Sequence, residues 1–71
     1  MREKTFKIMV NGLEEAVDGN TTVARLVELH GEGDAHIIVE RNGRYVYPRE
    51  YADTRVDPGD EFELVHPDFG G

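Results

Sequence analysis

The chain ends on Gly70-Gly71, and its terminal α-carboxylate is the group in the sequence with the clearest chemical use. Glycine loses more backbone freedom on folding than any other residue, so two terminal glycines add nothing to the stability of a fold. They do make a slim arm that could carry the carboxylate into a narrow site on another protein. Fully extended, residues 66–71 would reach on the order of 20 Å. Linkers and frayed termini also end in glycine, so this interpretation requires a rigid body behind the arm.

The remaining side chains form no recognisable reaction centre. The chain has no cysteine, which excludes disulfides, iron–sulfur clusters and thiolate zinc sites. The spacings of His30, His36 and His66 match no metal-ligand motif. The loop at 31–34 has two glycines but lacks the Lys-Ser/Thr pair of a phosphate-binding loop, which favours a simple linker. We therefore predict no metal site and no catalytic residue.

Length and charge narrow the class of protein. A chain of 71 residues makes one domain, 1–71, which buries only about 60% of its unfolded surface and leaves little room for an enzyme cleft. The net charge of −7 repels nucleic acid and anionic membranes, which argues against both as partners. The acidity either favours a partner protein with a basic docking surface or only keeps the small domain soluble. Tyr45, Tyr47 and Tyr51 are accordingly expected to pack rather than to stack on bases. The N-terminus shows no signal peptide or membrane span, so we expect a cytoplasmic protein.

The first elements are a hairpin and a helix. Apolar and polar residues alternate on either side of Asn11-Gly12, a strong two-residue turn signal, so residues 5–17 predict two antiparallel strands. Glu15 falls among the apolar positions of the second strand, which indicates either a bulge or a partly wet edge strand. Thr21 or Thr22 can cap a helix over 23–30, and we expect Gly31 to end it in the left-handed conformation.

The second half of the chain predicts three more strands. The patterns indicate a hairpin over 35–47 around Asn42-Gly43, whose second strand stops at Pro48. They also indicate a short helical turn over 49–53, a type II turn at 57–60 and a strand over 61–65. The acidic run from Asp57 to Glu63 is interpreted as a solvated turn that also complements a basic partner. Five strands with one helix predict an α+β fold in which the tail leaves the end of a packed strand.

One helix covers only one face of a sheet. Met9, Ile38 and Val65 fall on the outward positions of strands that we expect to be central. Apolar side chains on an uncovered face either mark a docking surface or are ordinary exposed hydrophobic residues, and the first interpretation predicts that these three contact a partner.

Three segments resemble the ThiS/MoaD family of sulfur carriers: Val46-Tyr47-Pro48-Arg49-Glu50, Asp57-Pro58-Gly59-Asp60-Glu61 and the terminal Gly70-Gly71. The resemblance runs along essentially the whole chain. It implies a β-grasp (ubiquitin-like) fold, with a mixed sheet of about four to five strands packed on one helix and a flexible C-terminal tail. The Pro-Arg-Glu block and the short length are most similar to the thiamine-pathway carriers of the ThiS type. His66-Pro67 is more similar to MoaD, and Asp68-Phe69 departs from the usual tail of both.

The resemblance also implies a chemistry. A ThiF/MoeB-like adenylyltransferase would use ATP to activate the Gly71 carboxylate, and a cysteine desulfurase or rhodanese-type protein would supply sulfur to give a thiocarboxylate. Thiazole synthase or another sulfur-accepting enzyme would then take the sulfur. The carrier would be a monomer when free, would hold no cofactor of its own and would not be an enzyme. The residues expected to contact partners are Pro67, Asp68, Phe69 and Gly70 of the tail, with Met9, Ile38 and Val65 of the sheet.

Two other classes stay open at the level of sequence. The chain could carry sulfur in another pathway, such as molybdopterin or sulfur amino acid synthesis. It could also be a β-grasp interaction module in which Gly-Gly is incidental, or a ubiquitin-like modifier that is conjugated to lysines.

Overall fold

A mixed five-stranded sheet and one α-helix make up the fold. The structure, a computed structural model, describes residues 4–67. Helix α1 spans Val23–His30 and a 3-10 helix spans Pro48–Asp53. The strands, in chain order, are β1 (Thr5–Val10), β2 (Leu13–Asp18), β3 (Ile38–Arg41), β4 (Arg44–Val46) and β5 (Glu61–Val65).

The strand order β2-β1-β5-β3-β4 places the last strand of the chain in the middle of the sheet. β5 runs parallel to β1 and antiparallel to β3, while β2 and β4 form the two edges. Apolar side chains of α1, of the sheet face beneath it and of the connecting segments form the core. The largest fully buried members of that core are Phe62, Ile8, Leu26, Val23, Val39 and Val56.

Both predicted hairpin turns are present. Asn11 and Asn42 each have a φ of 52°, and the glycines after them have φ values of 81° and 83°. Positive φ at both central positions is the geometry of a turn whose twist matches the two strands it joins, and Asn-Gly tolerates it best. The two turns therefore form where the local sequence predicts them.

The bulge considered for β2 does not occur. β1 and β2 pair in one unbroken register from Thr5↔Asp18 to Val10↔Leu13, and β2 is an edge strand, as the alternative prediction held. Glu15 keeps its inward position because His30 at the end of α1 meets it: Nε2 of His30 lies 2.9 Å from Oε1 of Glu15. A half-buried contact between these two polar side chains thus replaces the backbone irregularity.

Helix α1 has the predicted bounds, but Gly31 has a different role from the one expected. The side chain of Thr22 accepts a hydrogen bond from the backbone N–H of Arg25, which caps the first turn. Gly31 has a φ of −80° and is not left-handed. A Cβ there would collide with the carbonyl oxygen of Val27, so the position needs glycine for close approach and not for its φ. Within residues 4–67, no helix is long and apolar enough to span a bilayer.

The turn before β5 is not a simple solvated turn. Gly59 has a φ of 80°, and the backbone N–H of Asp60 donates to the carbonyl of Asp57 over 3.1 Å, as the predicted type II turn requires. Asp60, however, is only 7% exposed. Its carboxylate accepts from Nε of Arg41 at 2.9 Å and from Nδ2 of Asn42 at 3.0 Å. The interpretation of the run as fully solvated is therefore wrong at Asp60, because the β3–β4 hairpin supplies partners for it.

Candidate functional site: the base of the C-terminal tail

Strand β5 carries the end of the chain out of the core. Phe62 and Leu64 are 1% and 4% exposed, so their side chains fix the strand on the helix-covered face. β3 pairs with β5 as far as Ile38↔Val65, whereas β1 pairs with it only at Met9↔Glu61 and Val10↔Phe62. The last part of β5 therefore has a strand neighbour on one side only.

The side chain of Asn11 fills the other side. Its Oδ1 accepts from the backbone N–H of Leu64 at 2.8 Å, and its Nδ2 donates to the carbonyl of Leu64 at 3.3 Å. The backbone N–H of Asn11 also donates to the carbonyl of Phe62 at 2.9 Å. The carboxamide thus makes the two bonds that another residue of β1 would have made, and it holds β5 close to the point where the tail begins.

His66, the first residue after β5, is held by the loop between α1 and β3. Nδ1 of His66 lies 3.0 Å from Oδ2 of Asp34, and Nε2 lies 3.8 Å from Oε2 of Glu32. The hydrogen bond with Asp34 raises the pKa of His66. The pKa of Asp34 is lowered, mainly by the hydrogen bond from the backbone N–H of His36 and next by the hydrogen bond with His66. Both shifts favour the charged pair.

Two of the three predicted docking residues lie together on the uncovered face. Ile38 and Val65 form a cross-strand pair and are 36% and 46% exposed. The register Val39↔Val46 places Tyr47 next to Ile38. The ring of Tyr47 meets that of Tyr45 edge-on at 4.8 Å, and the guanidinium of Arg49 lies 4.6 Å from its centroid. An exposed apolar patch therefore adjoins the base of the tail; we call Ile38, Val65, Tyr45 and Tyr47 the tail-side patch.

Met9 lies apart from this patch. It faces Glu61 at the opposite end of β5, about 13 Å along the strand from Val65. There it lines a cavity of about 390 Å³ with Glu40, Glu61 and Glu63. The uncovered face thus has an apolar half beside the tail and an acidic half that contains Met9.

The other predicted contact residues are in the tail itself. Pro67 is half-buried and ends the described chain. Asp68, Phe69, Gly70 and Gly71, including the predicted reactive carboxylate, lie outside the described residues. Across residues 4–67, no group of three or more His, Asp or Glu side chains converges to hold a metal ion.

The ThiS family matches residues 3–71, which is nearly the whole chain. The chain belongs to the ThiS family. The fold is similar to that in a crystal structure of the thiamine biosynthesis protein ThiS from Geobacter metallireducens, with a TM-score of 0.76 and 29% sequence identity. The superposition covers 93% of this chain and 100% of that chain. A solution structure of a thiamine biosynthesis protein from the same organism is also 29% identical, with a TM-score of 0.73 and coverage of 93% and 88%. None of the curated proteins compared with this chain matches it.

Membership of the ThiS family and the likeness to these structures confirm both the predicted resemblance and the predicted β-grasp fold. Two contacts were not predicted from the sequence. One joins Asn11 to the end of β5, and the other joins Asp34 to His66. Asn11 was fully explained by its turn, and Asp34 lay in a loop that had no motif. Only the position of His66 directly after the last strand, with the acidic loop elsewhere in the chain, hinted at the second contact.

Proposed function

We propose that this chain is a sulfur carrier of thiamine biosynthesis whose Gly71 carboxylate is converted to a thiocarboxylate. The observation that carries the proposal is the ThiS-family match, which runs through residue 71 and so includes the terminal Gly70-Gly71. The fold supports it, because the terminal residues follow directly from a strand held in the middle of the sheet. The domain 1–71 would therefore consist of a rigid body and a tail, 66–71.

The proposed reaction begins with activation of a poor electrophile. The Gly71 carboxylate attacks the α-phosphate of ATP on an adenylyltransferase of the ThiF/MoeB type, giving an acyl-adenylate and pyrophosphate. The terminal sulfur of a persulfide on a donor protein then attacks the acyl carbon, and AMP leaves. A second thiol cleaves the resulting acyl disulfide, which releases the Gly71 thiocarboxylate and leaves a disulfide on the donor side. A sulfur-accepting synthase, thiazole synthase in this proposal, takes the sulfur.

The carrier's own residues bind and position in this scheme, and they do not catalyse. Asn11 and the core side chains of β5 hold the strand, and the terminal glycines present no side chain to a narrow site. ATP is consumed by the partner, so we propose no resident cofactor. The whole chain carries a net charge of −7, which supports protein partners with basic surfaces over nucleic acid or anionic membrane.

We further propose that the uncovered sheet face docks these partners. The tail-side patch is apolar, exposed and continuous with the strand that leads into the tail. A partner that grips it would hold the tail within reach of its own active site. Met9 would take part through the separate acidic half, and Pro67, Asp68, Phe69 and Gly70 would be threaded into the partner.

Intact-mass measurement tests the function. The chain is incubated with ATP, an adenylyltransferase and a persulfide donor, and the expected product has one oxygen replaced by sulfur. Deletion of Gly71, or addition of one residue after it, should abolish the mass change while the circular dichroism spectrum stays that of the parent. An unchanged mass of the parent chain would favour an interaction module, and an isopeptide-linked adduct would favour a modifier. Transfer to a synthase other than thiazole synthase would assign another pathway.

A further inference from the structure

The first residue after β5 is bound to a part of the chain that is distant in sequence. His66 uses both ring nitrogens: Nδ1 lies 3.0 Å from Oδ2 of Asp34, and Nε2 lies 3.8 Å from Oε2 of Glu32. Its side chain is 38% exposed, so the contact is open to solvent and can break without unfolding the core. Nothing in the packing of β5 requires this contact, because the strand has already ended at Val65.

The acceptor side of the contact is built in advance. Oδ1 of Asp34 accepts the backbone N–H of His36 at 2.8 Å, and the backbone N–H of Asp34 donates to the carbonyl of Gly31 at 2.8 Å. Glu32 has a φ of 53°, which turns the loop tightly after α1. These bonds already orient the carboxylate of Asp34, so this side chain loses little conformational entropy when His66 binds to it.

We infer that His66 is a positioning residue: by binding Asp34 and Glu32 it sets the direction in which the chain leaves β5 towards the terminal glycines. We call these three residues the tail clasp. Its consequence for sulfur loading rests on the proposed carrier function, but the clasp itself can be tested on the free protein. A tail that starts in one direction presents its carboxylate to a partner more often than one that starts in many.

The clasp depends on pH in a defined way. The charged groups that face the ring of His66 are Asp34 and Glu32, and a backbone hydrogen bond with His30 also raises the pKa of His66. His36 lowers the pKa of Asp34 through its backbone N–H and its side-chain charge. The hydrogen bond with Asp34 raises the pKa of His66, so the charged pair is complete below the ordinary histidine value of about 6.5 and is lost as pH rises through the raised pKa. The pKa of Asp34 is lowered, so this carboxylate stays ionised until the pH falls through that lowered value.

Nuclear magnetic resonance of the free full-length chain tests the clasp. The His66 ring should titrate at a higher pH in the parent than in Asp34→Asn, and the amide signals of residue 66 and of residues 68–71 should shift with the same midpoint. Glu32→Gln should have a smaller effect, because its oxygen is farther from the ring. Asp53→Asn on the exposed 3-10 helix is the matched control and should leave the titration unchanged. An identical His66 titration in the parent and in Asp34→Asn would overturn the clasp.

Loading kinetics test its consequence. His66→Ala should lower kcat/KM for adenylation about fivefold, the low end of the range for coupled sites, with the loss mostly in KM. His66→Asn can still donate to Asp34 and should retain most of the activity without the parent's pH dependence. Equal kcat/KM in all three proteins would refute the positioning role. Failure of the parent chain to load at all would instead count against the carrier function, whereas the resonance test would still decide the clasp.

Discussion

At the scale of single residues, two polar side chains control how the chain leaves the sheet. Asn11 bonds both backbone groups of Leu64, and His66 binds the loop after α1. The two contacts lie on either side of Val65, so they hold the last residue of β5 between them. Neither Asn11 nor His66 is part of the apolar core. Each contact fixes the chain next to Val65, where side chains of the core do not hold it.

The contribution of Asn11 can be isolated with glycine. Asn11→Gly keeps the positive φ that the turn requires and removes the carboxamide, although glycine also loses more backbone freedom on folding. The loss of two hydrogen bonds should lower the free energy of unfolding by about 1–2 kcal/mol. In hydrogen exchange, the amide of Leu64 should lose protection while the amides of β4 keep theirs. Unchanged protection at Leu64 would show that the carboxamide does not hold the end of β5.

At the scale of elements, side chains from the β3–β4 hairpin hold the turn that leads into β5. Arg41 donates to both Asp60 and Asp57, and Oδ1 of Asn42 accepts the backbone N–H of Glu61. The turn is thus attached to the neighbouring hairpin by side chains before the backbone pairing of β5 with β3 begins. This arrangement fixes the start of β5 much as Asn11 fixes its end.

Asp60 is the member of this network whose loss should cost most. Asp60→Ala would leave Arg41 and Asn42 without their buried acceptor, and it should lower the free energy of unfolding by about 2 kcal/mol in urea denaturation. Asp57→Asn is the matched control, because that side chain is 55% exposed and its ion pair with Arg41 should contribute under about 1 kcal/mol. Equal losses in the two variants would contradict the account of a buried acceptor.

Predictions from local sequence mostly succeeded, with the conformation of Gly31 as the exception, and contacts between distant residues were missed. The alternation of β1 and the two Asn-Gly turns needed only neighbouring residues, and both are present. The bulge at Glu15 was wrong because its partner, His30, lies on another element. The β-grasp fold with its mixed sheet followed from the family resemblance and not from any local pattern, and the order of the strands was not predicted. The contact of Asn11 with Leu64 spans 53 positions, so no turn signal could have indicated it.

At the scale of the whole molecule, the tail-side patch should contribute to partner binding, and an exposed apolar residue on the edge strand β2 should not. The double substitution Ile38→Glu with Val65→Glu should weaken binding to the adenylyltransferase at least about thirtyfold, since two buried interface anchors that contribute about 1 kcal/mol or more each together contribute about 2 kcal/mol. Leu13→Glu, at a residue 74% exposed on the edge strand, is the control and should bind as the parent does. Titration calorimetry measures both. Equal affinities in the double variant and the parent would remove the tail-side patch from the proposal.

The proposed function requires that the reactive group be the carboxylate of Gly71. The chain has no Lys or Arg after Arg55, so trypsin releases residues 56–71 as one peptide that contains the whole tail. After incubation with ATP, an adenylyltransferase and a persulfide donor, fragment mass spectrometry of that peptide locates any added sulfur. We expect one sulfur in place of one oxygen on the fragment that ends in Gly71. A peptide that gains no sulfur, or gains it elsewhere, would contradict the account.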